Sequence, residues 1–291
     1  MKTDRHNPLV SFFSGKDRFW IAVWILVVSL LALWDILFLN GPALKRVATG
    51  FVNTFIISVL VVCFTLILGW CVTISLHHLQ LKGKRAGYIS LTFFINLIRS
   101  VPQIVGVLFS YIGIAALVDK GVLHGNLTVF PAMAFCMSIF IFVETVDLMR
   151  ERIDHFSKLD FYNAMKVCGV SENRIINFDI LWKNSRIHII NKLISVFGIA
   201  VFLQCSVDFI ISVGLSTDVN PVSIPVTLGS LLAKIDSKQD ILAIGYTIFH
   251  PGYFPRLLFQ HLQGITVAFL IVFSLLSINN ISNGYAERHR L

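Results

Sequence analysis

Apolar residues in this chain gather into six long runs separated by polar stretches. The runs lie at about 19–39, 51–76, 101–117, 127–143, 193–215 and 264–281, each near the ~20 residues that an α-helix needs to cross a bilayer. The pattern predicts an all-α integral membrane fold with six transmembrane helices and both termini on one side. The first run carries Trp20, Trp24 and Trp34 and is followed by no small-residue cleavage pattern. It reads as a retained helix rather than a signal peptide. That divides the chain into a leading segment (1–18), a first transmembrane helix (19–39) and a core (40–291) with five more spans.

One polar insert, 150–192, interrupts this pattern. Ser157 followed by Asp160 has the form of a helix start, with a hydroxyl free to cap and an acid near the positive helix end. Phe161, Ala164, Met165 and Cys168 then fall at i, i+3, i+4 and i+7, which places them on one face, with Asn163 and Lys166 directed elsewhere. Gly169 suits the left-handed position that ends a helix. Ser171 is placed to cap a second helix through Ile175, Ile176 and Ile180 towards Trp182, with Glu172 in its first turn.

Composition agrees with membrane insertion: 56% of residues are hydrophobic, 14% are charged, and the mean hydropathy is +0.77. Charge then orients the chain. Most of its 24 lysines and arginines fall in the leading segment, the 82–85 connection, the insert and the tail. Cationic residues concentrate in cytoplasmic loops, so the insert and both termini are expected in the cytoplasm. The net charge of +8 follows from this distribution and from attraction to anionic lipid, and it does not argue for nucleic acid. Five cysteines include no C-x-x-C pair and read as small packing residues. Adjacent His77 and His78 point about 100° apart on a helix, and no further ligand at metal spacing joins them.

The insert resembles the cytoplasmic EAA loop of binding-protein-dependent ABC importer permeases, in which Glu-Ala-Ala, three residues, Gly and later Ile-Leu-Pro occur in order. The corresponding residues are Asn163, Ala164 and Met165, then Gly169, then Ile180, Leu181 and Trp182, with Ser171, Ile175 and Asn184 also in place. Asn163 stands where the family usually has Glu, Met165 where it has Ala, and Trp182 where it has Pro. The resemblance extends from about residue 42 to the end. Ile98 to Pro102 is similar to the segment that opens the third span in many such permeases, and Val213 to Leu215, Thr227 to Leu232 and Ser277 to Gly284 are similar to segments of the dipeptide, oligopeptide and nickel branch.

The resemblance implies a type I importer permease bundle in a bacterial cytoplasmic membrane, moving peptides or a similar small solute by alternating access. Its coupling helix, with Phe161, Asn163, Ala164, Met165, Lys166, Gly169 and Ser171, would sit in a cleft of a cytoplasmic ATPase. The implied partners are that ATPase, a second homologous permease subunit, an extracytoplasmic solute-binding protein and membrane lipid. The chain has no Gly-x-x-x-x-Gly-Lys-Ser/Thr loop. It is therefore expected to be a non-catalytic subunit without a cofactor of its own, with ATP and Mg on the partner. The alternative for the apolar face of the coupling helix is packing against the protein's own helix ends.

Ionisable residues near spans are costly in lipid and often mark a pathway. Arg99 has two placements: at the headgroups, if 87–98 is interfacial and the span begins after Pro102, or buried and opposite Asp208. Glu144 and Asp147 are expected to pair with Arg150 or Arg152. Asp208 is the candidate contact for an amino group or cation in the path. The segment 216–263, with Pro221, Pro225, Pro251 and Pro255, exceeds a minimal connection. It reads as an external platform, with 229–232 dipping towards the path, or as a surface lid without a partner. An ion-coupled secondary transporter or channel acting without an ATPase remains the rival class. A membrane enzyme would need a His, Ser or paired-carboxylate constellation within the spans, and none is visible.

Overall fold

The computed structural model describes residues 15–214, 224–233, 235–260 and 262–289, which are helical with short connections and contain no strand. Five helices are long and apolar enough to cross a membrane: α1 (Lys16–Phe38), α2 (Gly41–Leu81), α5 (Asn126–Ser157), α8 (Arg186–Gly214) and α12 (Leu262–His289). Between them lie α3 (Arg85–Ser100) and α4 (Gln103–Asp119), bent by 93° at Val101 and Pro102, which would supply a sixth span if the pair counts as one. The bend has a local cause. Pro102 lacks an N–H and disfavours helical geometry at the residue before it, and Val101 is extended.

The insert folds as α6 (Asp160–Val167) and α7 (Glu172–Arg174), the latter continuing as a π-helix over Ile175–Asn184. Beyond α8, a short helix α9 (Leu228–Leu232) precedes α10 (Ile235–Phe249) and α11 (Phe254–Gln260). Residues 1–14, 215–223, 234, 261, 290 and 291 lie outside the described set, so the expectations resting on Lys2, Arg5, Ser216, Pro221 and Arg290 are not addressed by it.

The central core is built by α2, α4, α5 and α8, with Ile57, Val107, Met137 and Val196 fully buried. Small residues permit the closest crossings. A Cβ on Gly69 of α2 would lie 2.9 Å from the Thr145 methyl of α5. α1 stands apart from this core: many of its apolar side chains are exposed, Val28 and Leu31 pack on the cluster around Val47 and Leu270, and its only buried residues are Asp17 and Asp35. Both acids are tied to α12, Asp17 by Arg288 at 2.8 Å and Asp35 by the Thr266 hydroxyl at 2.8 Å. Trp24 adds an N–H bond to Ser274 Oγ at 3.1 Å. In an apolar medium such polar ties fasten a helix where water cannot drive apolar association.

α2 extends well past the apolar run that announced it. Asn40 caps its start by accepting from the Ala43 N–H at 3.0 Å, and its 41 residues span about 60 Å at the α-helical rise. It contacts α5 and α8 along its length and reaches both the insert and α9.

Candidate functional site

The insert is built around a small core of its own. Ile175, Ile176, Ile180 and Leu181 of the second helix are buried with Met149 and Ile153 from the end of α5. Tyr162 of α6 joins them, with Phe161 and Met165 packed partly against the same cluster. The expected docking face is therefore divided. Phe161 and Met165 turn towards the protein, whereas Ala164 and Cys168 lie on the exposed side with Asn163 and Val167, the last 88% exposed. The larger side chains bury more apolar area than Ala or Cys, and that sets the helix phase.

Capping also differs from the sequence expectation. Ser157 donates back to the Ile153 carbonyl at 2.7 Å and belongs to the end of α5, so α6 begins after Leu159 with no side-chain cap. Ser171 likewise makes no side-chain cap bond. The C-terminus of α6 follows the pattern expected of Gly169. Its φ is +78°, and the Gly169 and Val170 N–H groups bond to the Lys166 and Met165 carbonyls at 3.0 and 3.1 Å. These are the paired bonds of a Schellman closure.

Glu172 holds the assembly together. Tyr162 donates its hydroxyl to Glu172 in a short hydrogen bond. Lys166 lies 3.3 Å from the same carboxylate and 4.7 Å from the Tyr162 ring centre. His77 Nε2, from the far end of α2, is 3.6 Å from Glu172 Oε1. Burial alone would push the Glu172 carboxyl up; the bonds from Tyr162 and Lys166 and the charges of Lys166 and His77 outweigh it, holding the group below its ordinary range. Burial, and then the bond to Glu172, raise the Tyr162 phenol. Trp70 adds a second tie from α2, donating to Asn177 Oδ1 at 2.8 Å. The sequence reading assigned Glu172 only a place in a first helical turn and missed both its contact with His77 and the bond from Trp70 to Asn177. The one available signal was His77, the first residue after the apolar run 51–76.

The ion pairs at this end correct another expectation. Asp147 accepts from Arg99 at 2.7 Å, and Glu144 accepts from Lys192 at 2.7 Å and Gln103 at 3.2 Å. Arg150 instead donates to the Tyr88 hydroxyl and Arg152 to Ser185 Oγ. Arg99 ends α3 at the 93° bend, half-exposed, and is not buried opposite Asp208.

A second constellation surrounds α9. Asn53 donates to the Val226 carbonyl at 2.7 Å, and the Leu228 N–H donates to Thr54 Oγ1 at 3.1 Å. Thr227 starts α9 with a reciprocal capping box to Ser230 and donates its hydroxyl to Asp208 Oδ2 at 2.6 Å. A Cβ on Gly229 would lie 2.3 Å from the Cys205 carbonyl oxygen, so only glycine lets α9 approach α8 this closely. Asp208 is thus enclosed beneath α9.

Beside α9, a cavity of about 520 Å³ opens between α1, α2, α8 and α12. Trp24, Phe51, Phe55, Phe197 and Ile271 are among the residues lining it, and no charged side chain contributes. No three His, Cys, Asp or Glu side chains are grouped to hold a metal among the described residues. Of the five free cysteines only Cys205 is buried, and Cys63, Cys71 and Cys168 are exposed, so the packing role expected of all five fits Cys205 best.

Compared with known proteins, the chain matches no family model and no curated protein.

Proposed function

We propose that this chain is a transmembrane permease subunit of an ATP-driven importer, with α6 as its coupling helix. The observation that carries the reading is the mounting of α6. A short helix projects from the bundle on its own packed base, is fastened to α2 through Glu172 and Trp70, and leaves Asn163, Ala164, Val167 and Cys168 uncovered. Uncovered apolar side chains beside small residues suit insertion into a groove on a soluble partner. Together with the spacing of Ala164, Gly169, Ile180 and Leu181, this favours an ATPase as the partner, with ATP and Mg bound there.

In this reading the insert is cytoplasmic, α9 lies towards the opposite side, and a solute-binding protein delivers a peptide or similar small solute. The apolar cavity flanked by α2 and α8 faces the second permease subunit. Closure of the ATPase dimer moves α6, and the ties to α2 carry that movement into the bundle. A carrier acting alone is the second reading, favoured by one specific observation, the buried acid Asp208. Mild solubilisation and affinity purification of the tagged chain decide between them. An ATPase and a second permease are expected to copurify; transport by the reconstituted chain alone would refute the importer assignment.

A further inference from the structure

Beneath α9 the bundle encloses an acid that pairs with no cation among the described residues. Asp208 is 2% exposed; its Oδ2 accepts from Thr227, and its Oδ1 has no hydrogen-bond partner. One turn earlier on α8, Gln204 is fully buried, with Oε1 3.4 Å from Ser58 Oγ and Nε2 unpartnered. An ionised carboxylate in such a place is costly unless a cation or water attends it, whereas a neutral carboxyl is tolerated.

The described groups facing Asp208 supply no cation. From α4 comes Tyr111, fully buried, whose hydroxyl donates to Met137 Sδ at 2.9 Å; Cys136 of α5 lies near Tyr111, and Cys205 is on α8 itself. α2 contributes the neutral Asn53, Thr54 and Ser58, and α9 contributes Thr227 and Ser230. The buried polar side chains of α12 are Ser277 and Thr266, the latter bonded to Asp35 of α1. Glu144 of α5 and Lys192 of α8 pair with each other at 2.7 Å near the insert. Among the described residues no lysine, arginine or histidine pairs with Asp208.

We propose that Asp208 is a proton-binding site whose occupancy seats the 226–232 segment. With the carboxyl protonated, Thr227 bonds to it, Asn53 and Thr54 hold the neighbouring backbone, and Gly229 lies against Cys205. Ionisation passes the proton from the carboxyl to water, and the resulting charge requires hydration that the seated α9 excludes. The segment therefore lifts as the proton leaves. A metal cation is the poorer occupant, because hard cations take six or more oxygen ligands and the close approach at Gly229 leaves little space. The proposal goes beyond the importer assignment and does not depend on it.

Hydrogen exchange of the full chain in lipid nanodiscs tests it, with exchange of 226–232 divided by that of central α5 at each pH to cancel the intrinsic chemical rate. The relative exchange of wild type is expected to rise with pH, by about tenfold per unit where only the lifted state is ionised. Asp208→Asn keeps an acceptor for Thr227 and cannot ionise, so its segment is expected to stay protected throughout. Thr227→Val is expected to be unprotected at every pH. Infrared spectra at neutral pH are expected to show a protonated carboxyl band that Asp208→Asn lacks. A flat wild-type profile, an unchanged pH response in Asp208→Asn, or protection that follows sodium or potassium instead of pH would overturn the proposal.

Discussion

At one end of α2, His77 and Trp70 meet the insert through a partly exposed cluster of Glu172, Lys166, Tyr162 and Asn177. Some 35 Å away along the same helix, Asn53 and Thr54 grip the backbone of 226–228 in a buried setting where no cation pairs among the described residues. The first joint combines the charged contacts of Glu172 with Lys166 and His77, the Tyr162 bond and the neutral Trp70–Asn177 bond, and water reaches Lys166 and part of Glu172. The second is made by neutral donors, main-chain groups and a backbone approach that only glycine allows. A joint of the first kind yields by small adjustments, because solvent replaces a lost bond. A joint of the second kind has two states, seated or not, since a partly withdrawn segment leaves buried polar groups unsatisfied. A rigid helix between them would turn graded motion at the insert into discrete motion at α9.

Two glycines offer the largest test of this difference. Gly229→Ala places a methyl where the Cys205 carbonyl oxygen already lies 2.3 Å away. Main chain cannot give way as a side chain can, so the cost is expected at or above the upper end of the ~1–3 kcal/mol typical of overpacking. The substitution should unseat 226–232 and lower the thermal midpoint of the purified chain. Gly169→Ala meets no atom within 4 Å and strains only a φ of +78°, so a loss of about 1 kcal/mol is expected. Equal destabilisation by the two substitutions would remove the proposed contrast.

Val167→Glu is expected to act on partner capture alone. The side chain is 88% exposed and supports none of the insert's core, so the thermal midpoint should not move. Recovery of a copurifying ATPase should fall about tenfold, equivalent to about 1.4 kcal/mol. Unchanged recovery would show that this face of α6 is not the docking surface.

Tyr162→Phe and Asn53→Ala sharpen the comparison at hydrogen-bond scale. Each removes one donor, and each is expected to cost about 1–2 kcal/mol. Limited proteolysis should detect the first as faster cleavage within 158–172 with 226–232 unaffected. Hydrogen exchange should detect the second as lost protection of 226–232, because the Val226 carbonyl loses its partner there.

Much of the frame was legible in the sequence, because a long apolar run has few alternatives to a spanning helix and Pro102 marks the bend. Gly169 was equally legible, since a left-handed closing residue is a local requirement. The true length of α2 was not, because Lys45 and Arg46 near its start are polar yet helical, and hydropathy cannot see a helix that leaves the apolar layer. Pairings such as Arg99 with Asp147 join residues distant in sequence, and local spacing pointed to Arg150 and Arg152 instead. The phase of α6 was misjudged for a related reason. The i, i+3, i+4 rule finds an apolar stripe but does not weigh a buried Tyr162 whose hydroxyl has Glu172 to bond.

The smallest effect expected is the acid response of the insert joint. Glu172 carries a folded-state pKa below its ordinary value of about 4.3, so its contribution is fully present above that ordinary value and is lost as pH falls through the lower folded one. Protonation removes the charge that attracts Lys166 and His77 and weakens the acceptor for Tyr162. Pepsin, active in acid, should cut 160–174 faster as pH is lowered through that window. Glu172→Gln should show the faster cutting at the upper end of the window and little further change on acidification. The 226–232 segment should stay protected over the same range, since acid keeps Asp208 protonated. If acid loosened both joints together, the separate chemistry assigned to the two ends of α2 would be wrong.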